Sequence, residues 1–385
     1  MSRVIRRPAV LVAVLTLAVA CGGSNPTASH SARPTVSGAP ATASASASAS
    51  PVITPLTGTY GLLISAGTLQ LIKPDASVAA SVSIATPSVQ YCSAQHDGAL
   101  EAPPVSASSD QVYFRDGDNK IRMVVPPATA VDVTTVPGNA TTISFFSVSP
   151  DDQRIAVLVE DLSGATTISL RLYVEDLHGG GNHLDIYTTT TPKGKGGLTL
   201  WPMGWHQGAL VLALVAACTF EPAGLTPSEW HMSNATTAQR ITTIRAVNCT
   251  LSYFPSAAGV GCINGQGATT LYNWAGKVTG VTGPPAQSSG YTMTGVSPTG
   301  NSVFFAAGSG IGAPAPVTQI LQQGPGPYAT VAGHNACAWI DEDHLLAPDA
   351  VIQFPAETPG NLRVTANVTA LAQSGVCAGR FPGTL

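Results

Sequence analysis

A polar turn followed by a short apolar strand recurs along this chain, and that recurrence constrains the fold more than any other feature. The clearest copy is residues 149–160, SPDDQRIAVLVE. Pro150 presets φ for the second turn position, and the Asp151 and Asp152 side chains can bond nearby backbone N–H groups. Residues 155–159 are apolar and rich in β-branched side chains, bounded by turn residues and too short for a typical helix. A strand that is apolar on both faces must be covered on both, which in an all-β chain means sheet against sheet. The 39 glycines and 30 prolines disfavour helix interiors, and no long stretch shows apolar residues at helical spacing. An all-β fold is the expectation.

The first apolar residue after each turn gives seven positions: Leu62, Val112, Ile155, Leu210, Val260, Val303 and Leu345. They are 50, 43, 55, 50, 43 and 42 residues apart. The two closest copies are SVSPDDQRIAVL and GVSPTGNSVFFA, and Ser108-Ser109-Asp110 is a shortened version. These residues resemble the TolB/WD40-like propeller repeat, Ser-Pro-Asp-Gly followed by a strand. Gly300 stands where that pattern has its glycine, and Asp152 replaces it in the other copy. The resemblance implies a β-propeller of four-stranded blades, for which the spacing is right. Seven positions predict seven blades; six or eight stay open, because Leu62 and Leu345 are the weakest of the set. Such rings close by pairing the chain ends in one blade, so residues 376–385 are expected to supply a strand beside the first blade. The resemblance implies no activity, since propellers host unrelated functions.

The chain divides into three parts. Residues 1–20 read as a lipoprotein signal peptide: Arg3, Arg6 and Arg7 precede an apolar run over 9–20 that is shorter than a membrane-spanning helix. Ala18-Val19-Ala20-Cys21 resembles the bacterial lipobox, which implies a lipid on Cys21 and a membrane partner through that anchor; an ordinary cleaved signal with an unmodified Cys21 is the alternative. Residues 21–57 form a Ser/Ala/Thr/Pro-rich tether that lacks the apolar surface needed to fold. Residues 58–385 carry the repeats. Net charge is −4 and basic clusters are absent, which argues against nucleic acid and against anionic membrane surface as partners.

Besides Cys21 there are six cysteines, an even set that favours disulfides in an exported chain. Six cysteines allow 15 connectivities. Cys249–Cys262 would join adjacent strands of one blade, Cys337–Cys377 would pin the C-terminal segment to the last blade, and Cys92–Cys218 follows by elimination. No Cys-x2–4-Cys or clustered His supports a metal site, and no cofactor is expected.

No catalytic residue can be assigned. His178-Gly179-Gly180-Gly181 has no Gly-x-Ser-x-Gly to serve as oxyanion loop for. Asp116-Gly117-Asp118-Asn119 begins like a calcium loop but continues with Lys120, and reads as a hairpin turn. Trp205 and Trp339 precede their repeat positions by similar spacings, as aromatics packed between blades do. Trp205, His206, Trp230 and His231 are candidates for a sugar-stacking face, and Asp341 and Asp343 for a cation or a basic partner, against the simpler reading of a solvated turn. The expected function is a non-catalytic, extracytoplasmic lipoprotein that presents its propeller to an envelope protein or glycan. A carbohydrate-active hydrolase or lyase with carboxylates at the channel is the alternative.

Overall fold

The computed structural model describes residues 54–93, 98–100, 105–219, 226–283, 291–307, 315–322, 327–354 and 364–385. These residues form seven four-stranded antiparallel sheets, the blades of a β-propeller. From the innermost strand outward, blade 1 is Val376–Phe381, Tyr60–Ser65, Thr68–Ile72 and Val78–Ser83. Blade 2 is Val105–Ala107, Val112–Asp116, Lys120–Val125 and Thr129–Thr135. Blade 3 is Thr142–Val148, Arg154–Asp161, Thr167–Asp176 and Leu184–Pro192. Blade 4 is Leu198–His206, Ala209–Ala216, Glu229–Asn234 and Arg240–Arg245. Blade 5 is Cys249–Leu251, Val260–Asn264, Thr269–Tyr272 and Val278–Thr282. Blade 6 is Tyr291–Val296, Ser302–Ala307, Val317–Gln322 and Pro327–Ala332, and blade 7 is Ala338–Trp339, His344–Leu346, Ala350–Gln353 and Asn367–Ala370.

All seven repeat positions fall in the second strand of their blade. The turn that precedes them is built the same way in both clear copies. Asp152 N–H donates to Ser149 O at 3.0 Å, and Gly300 N–H to Ser297 O at 3.0 Å. The serine hydroxyl then accepts the N–H of the first residue of the next strand, Arg154 at 2.9 Å and Ser302 at 3.2 Å. Ser108 repeats the device on Gln111 at 2.9 Å. The serine recurs because its oxygen satisfies a strand-end donor that no ladder partner reaches. The residue two before the strand is left-handed in both copies, Asp152 at φ 57 and Gly300 at φ 82. Aspartate tolerates that region better than most side chains, so it can replace glycine there.

Val376–Phe381 pairs antiparallel with Tyr60–Ser65, so the C-terminal strand is the innermost of blade 1 and closes the ring. Cys337–Cys377 fastens that strand to the start of blade 7, with Cα atoms 5.9 Å apart. Cys249–Cys262 joins the first two strands of blade 5, with Cα atoms 5.4 Å apart. Both separations lie in the range a disulfide requires.

Neighbouring blades are also joined by polar bonds between inner strands. Trp205 Nε1–H donates to Ser147 O at 3.3 Å, and Trp339 Nε1–H to Gly295 O at 3.0 Å. Val148 N–H donates to Ser106 Oγ at 2.9 Å. The first-to-second-strand turns gather on one end of the ring, called here the turn rim, and the connections between blades on the opposite rim.

Candidate functional site

Among the described residues, two departures from repeat symmetry bring distant blades together. The first is on the opposite rim, where the connection from blade 1 to blade 2 is long. Its described residues leave blade 1 and are bound along blade 2: Ala85 N–H donates to Asp116 Oδ1 at 2.7 Å, while Ser88 N–H and Oγ–H donate to Asp118 at 2.6 and 2.8 Å. These bonds hold the Asp118 carboxyl below its ordinary value. The connection continues to blade 4. Ala99 and Thr219 exchange backbone hydrogen bonds at 2.9 Å each, and Cys92 is disulfide-bonded to Cys218 with Cα atoms 6.1 Å apart. Val89 and Cys92 join the apolar cluster that contains Phe145 of blade 3 and Trp201 of blade 4. The described residues of this connection thus act as a strap, tied to blade 2 at Ala85 and Ser88 and to blade 4 at Cys92 and Ala99. The hairpin reading of Asp116–Asn119 holds, with the added role of anchoring this strap.

The second place is the axis. Inner strands of blades 1, 2, 4, 6 and 7, with Phe254 and Pro255 of blade 5, surround a cavity of about 90 Å³. Its walls are small or apolar, and Arg380 is the charged residue among them. Residues 383–385 run across its turn-rim end. Gly383 N–H donates to Ser108 O at 3.0 Å and Leu385 N–H to Trp205 O at 3.1 Å. His206 Nδ1 lies 2.7 Å from Leu385 O, and the space beside Gly204 is filled by the Leu385 side chain.

No protein-family model matches the chain, and no curated protein matches it. Solved structures resemble it at low identity. A protein from Lactobacillus plantarum is 10% identical over 84% of this chain and 97% of its own, with a TM-score of 0.46. Oligogalacturonate lyase in complex with manganese is 10% identical over 80% and 83%, with a TM-score of 0.42. Saccharomyces cerevisiae Sqt1 is 13% identical over 71% and 86%, with a TM-score of 0.38. The chain is a seven-bladed β-propeller.

The residues singled out in the sequence are scattered around this ring. Trp205 and Trp230 are 3% and 1% exposed. Their rings pack inside the apolar cluster shared by blades 3, 4 and 5. His206 is half-buried at the turn rim, engaged with residue 385. His231 is buried and lies 2.5 Å from Glu229, which also pairs with Arg245 at 2.8 Å. Burial holds the His231 imidazole below its ordinary value, with Glu229 opposing. Asp341 sits in the first turn of blade 7, where it meets His344 Nδ1 at 2.8 Å and accepts from Asp343 N–H at 2.9 Å and Thr59 Oγ at 3.3 Å. Burial raises its pKa, but these bonds outweigh that and hold it below the ordinary value. Asp341 and Asp343 are therefore in the turn the repeat predicts, with Asp341 occupied in bracing it. Cys21 lies outside the described residues.

Sequence reasoning missed Arg380 and Glu160. Glu160, in the second strand of blade 3, is fully buried near Thr199 and Trp201 of blade 4, and burial pushes its carboxyl up to about 8. Its place in the strand alternation was readable, but not that the neighbouring blade covers it.

Proposed function

We propose that this is an exported, lipid-anchored propeller, TolB-like in its repeat, that binds an envelope protein or glycan without catalysis. In this reading residues 1–20 direct export, Cys21 carries the lipid, residues 21–57 act as tether and residues 58–385 are the binding module. The observation that carries it is the strap. Three disulfides suit an oxidising, extracytoplasmic compartment, and one of them, Cys92–Cys218, fixes the longest departure from symmetry on the opposite rim. Segments already held to blades 2 and 4 by hydrogen bonds and a disulfide lose little entropy when a partner docks on them. The hydrolase or lyase alternative needs two carboxylates facing one space; the axial walls described above offer Arg380 instead.

The test has two parts. Cys21→Ser is expected to move the protein from the membrane to the soluble fraction; unchanged retention refutes the anchor. Capture from envelope extract, run beside a glycan array, is expected to give a partner that is lost when Cys92 and Cys218 are both replaced by serine. New reducing or unsaturated ends released from a polysaccharide would favour the enzyme instead.

A further inference from the structure

We propose that the axial cavity is a binding site for a small aliphatic carboxylate, held by the guanidinium of Arg380 between apolar walls. Arg380 lies near the turn-rim end of the innermost strand of blade 1 and lines the cavity. It is half-buried, and while its backbone pairs with Gly61 in the blade 1 ladder, its guanidinium makes no hydrogen bond and no ion pair among the described residues. The acids that act on it through space, Glu342 and Asp341, are both occupied: Thr299 N–H donates to Glu342 at 2.5 Å, and Asp341 braces its own turn. Burial holds the guanidinium below its ordinary value, the mark of a charge set in poorly solvated surroundings.

An arginine side chain carries five N–H donors in a planar fork that matches a carboxylate bidentately. A half-buried cation is only partly solvated, so a site that leaves one beside a cavity gains from an anion there. The walls decide what the rest of the ligand is. Leu62, Met203, Phe254, Val296 and Trp339 present apolar surface, and the Trp339 indole N–H is already given to Gly295 O. Ser106 Oγ accepts from Val148 N–H, and its own O–H can add to the hold on a carboxylate. A body with several hydroxyls would leave most of its polar groups without partners against the apolar walls, whereas an alkyl chain would not. The volume of about 90 Å³ accommodates roughly six water-sized groups, which is the size of butyrate. Gly379, at φ +121, would carry a Cβ that meets nothing within 4 Å, so open space lies beside Arg380. This site is in the axis and does not rest on the strap or on the lipid anchor.

The full chain is titrated with sodium butyrate, butylamine, butanol and glucuronate, followed by calorimetry and tryptophan fluorescence. Butyrate is expected to bind saturably and raise Tm, with butylamine silent and butanol and glucuronate at least about tenfold weaker. Arg380→Met, checked for folding by circular dichroism, is expected to weaken butyrate at least about tenfold. Absence of butyrate binding, equal binding of butanol, tighter binding of glucuronate, or undiminished butyrate binding by folded R380M each overturns the proposal. If R380M does not fold, Arg380→Lys decides: it keeps the charge and loses the fork, so several-fold weaker butyrate binding supports the site and unchanged affinity overturns it.

Discussion

The indole of Trp339, on the inner strand of blade 7, donates to the carbonyl of Gly295, on the inner strand of blade 6, at 3.0 Å. Trp205 makes the corresponding bond from blade 4 to Ser147 of blade 3 at 3.3 Å. Each ring also fills an apolar cluster. Blade-to-blade cohesion is therefore part packing and part hydrogen bond, and substitution separates the two. Trp339→Phe keeps most of the packing and is expected to cost about 1–2 kcal/mol for the bond and its orphaned acceptor. Trp339→Ala is expected to cost about 3–5 kcal/mol. Denaturant unfolding of both variants checks the ratio; equal losses would mean that the bond, not the ring, dominates.

Glu160 gives the fold a pH dependence of definite sign. Its folded-state value, about 8, stands above its ordinary 4.5. Between those values the folded state binds more protons than the unfolded one, so its contribution to stability is fully present below 4.5 and is lost as pH rises toward 8. Glu160→Gln removes the titration. The variant is expected to match the parent near pH 5 and to exceed it by a few kcal/mol at pH 9. Melting curves across that range test it, and parallel profiles for the two proteins would show that Glu160 is not buried in this way.

The repeat turn carries its own prediction. Ser149→Ala and Ser297→Ala each remove the oxygen that accepts the N–H of Arg154 or Ser302, at an expected cost of about 1–2 kcal/mol. Gly300→Ala places a Cβ 2.8 Å from that of Ala258 at a left-handed φ, and is expected to cost more than about 1 kcal/mol. Asp152→Gly relieves the same backbone region but forfeits the bond from Tyr113 Oη at 2.9 Å, so the two effects offset and the change stays within about 1 kcal/mol. Urea midpoints of the four variants give the order directly.

The disulfides differ in the chain they enclose. Cys92–Cys218 spans a separation of 126 residues, and Cys249–Cys262 one of 13. Loop-closure entropy gives about 4–5 kcal/mol for the first and about 3 kcal/mol for the second. Paired serine replacements, compared by guanidinium unfolding, are expected to preserve that order; a reversed order would reject the entropic account.

Local sequence determined the blades. Turn residues, a hydroxyl that caps the next strand and an apolar run of strand length are all short-range features, and they placed every repeat position in a second strand from Leu62 to Leu345. The closing strand at Val376–Phe381 could be read as well, because such rings pair their chain ends, whereas an even cysteine set predicted disulfides but left 15 connectivities that only the fold resolved. What the sequence left undecided depends on groups brought together from distant blades. Whether Trp205 and Trp230 are buried was open until the ring packed around them. Asp116 and Asp118 read as a turn, and only the fold brought Ala85 and Ser88 to them. Arg380 carried no local signal at all: whether an arginine near a chain end is a solvated charge or the cation of an axial cavity depends on what five other blades place around it. Strand and turn formation are settled within a dozen residues, whereas burial and charge pairing are settled by the ring.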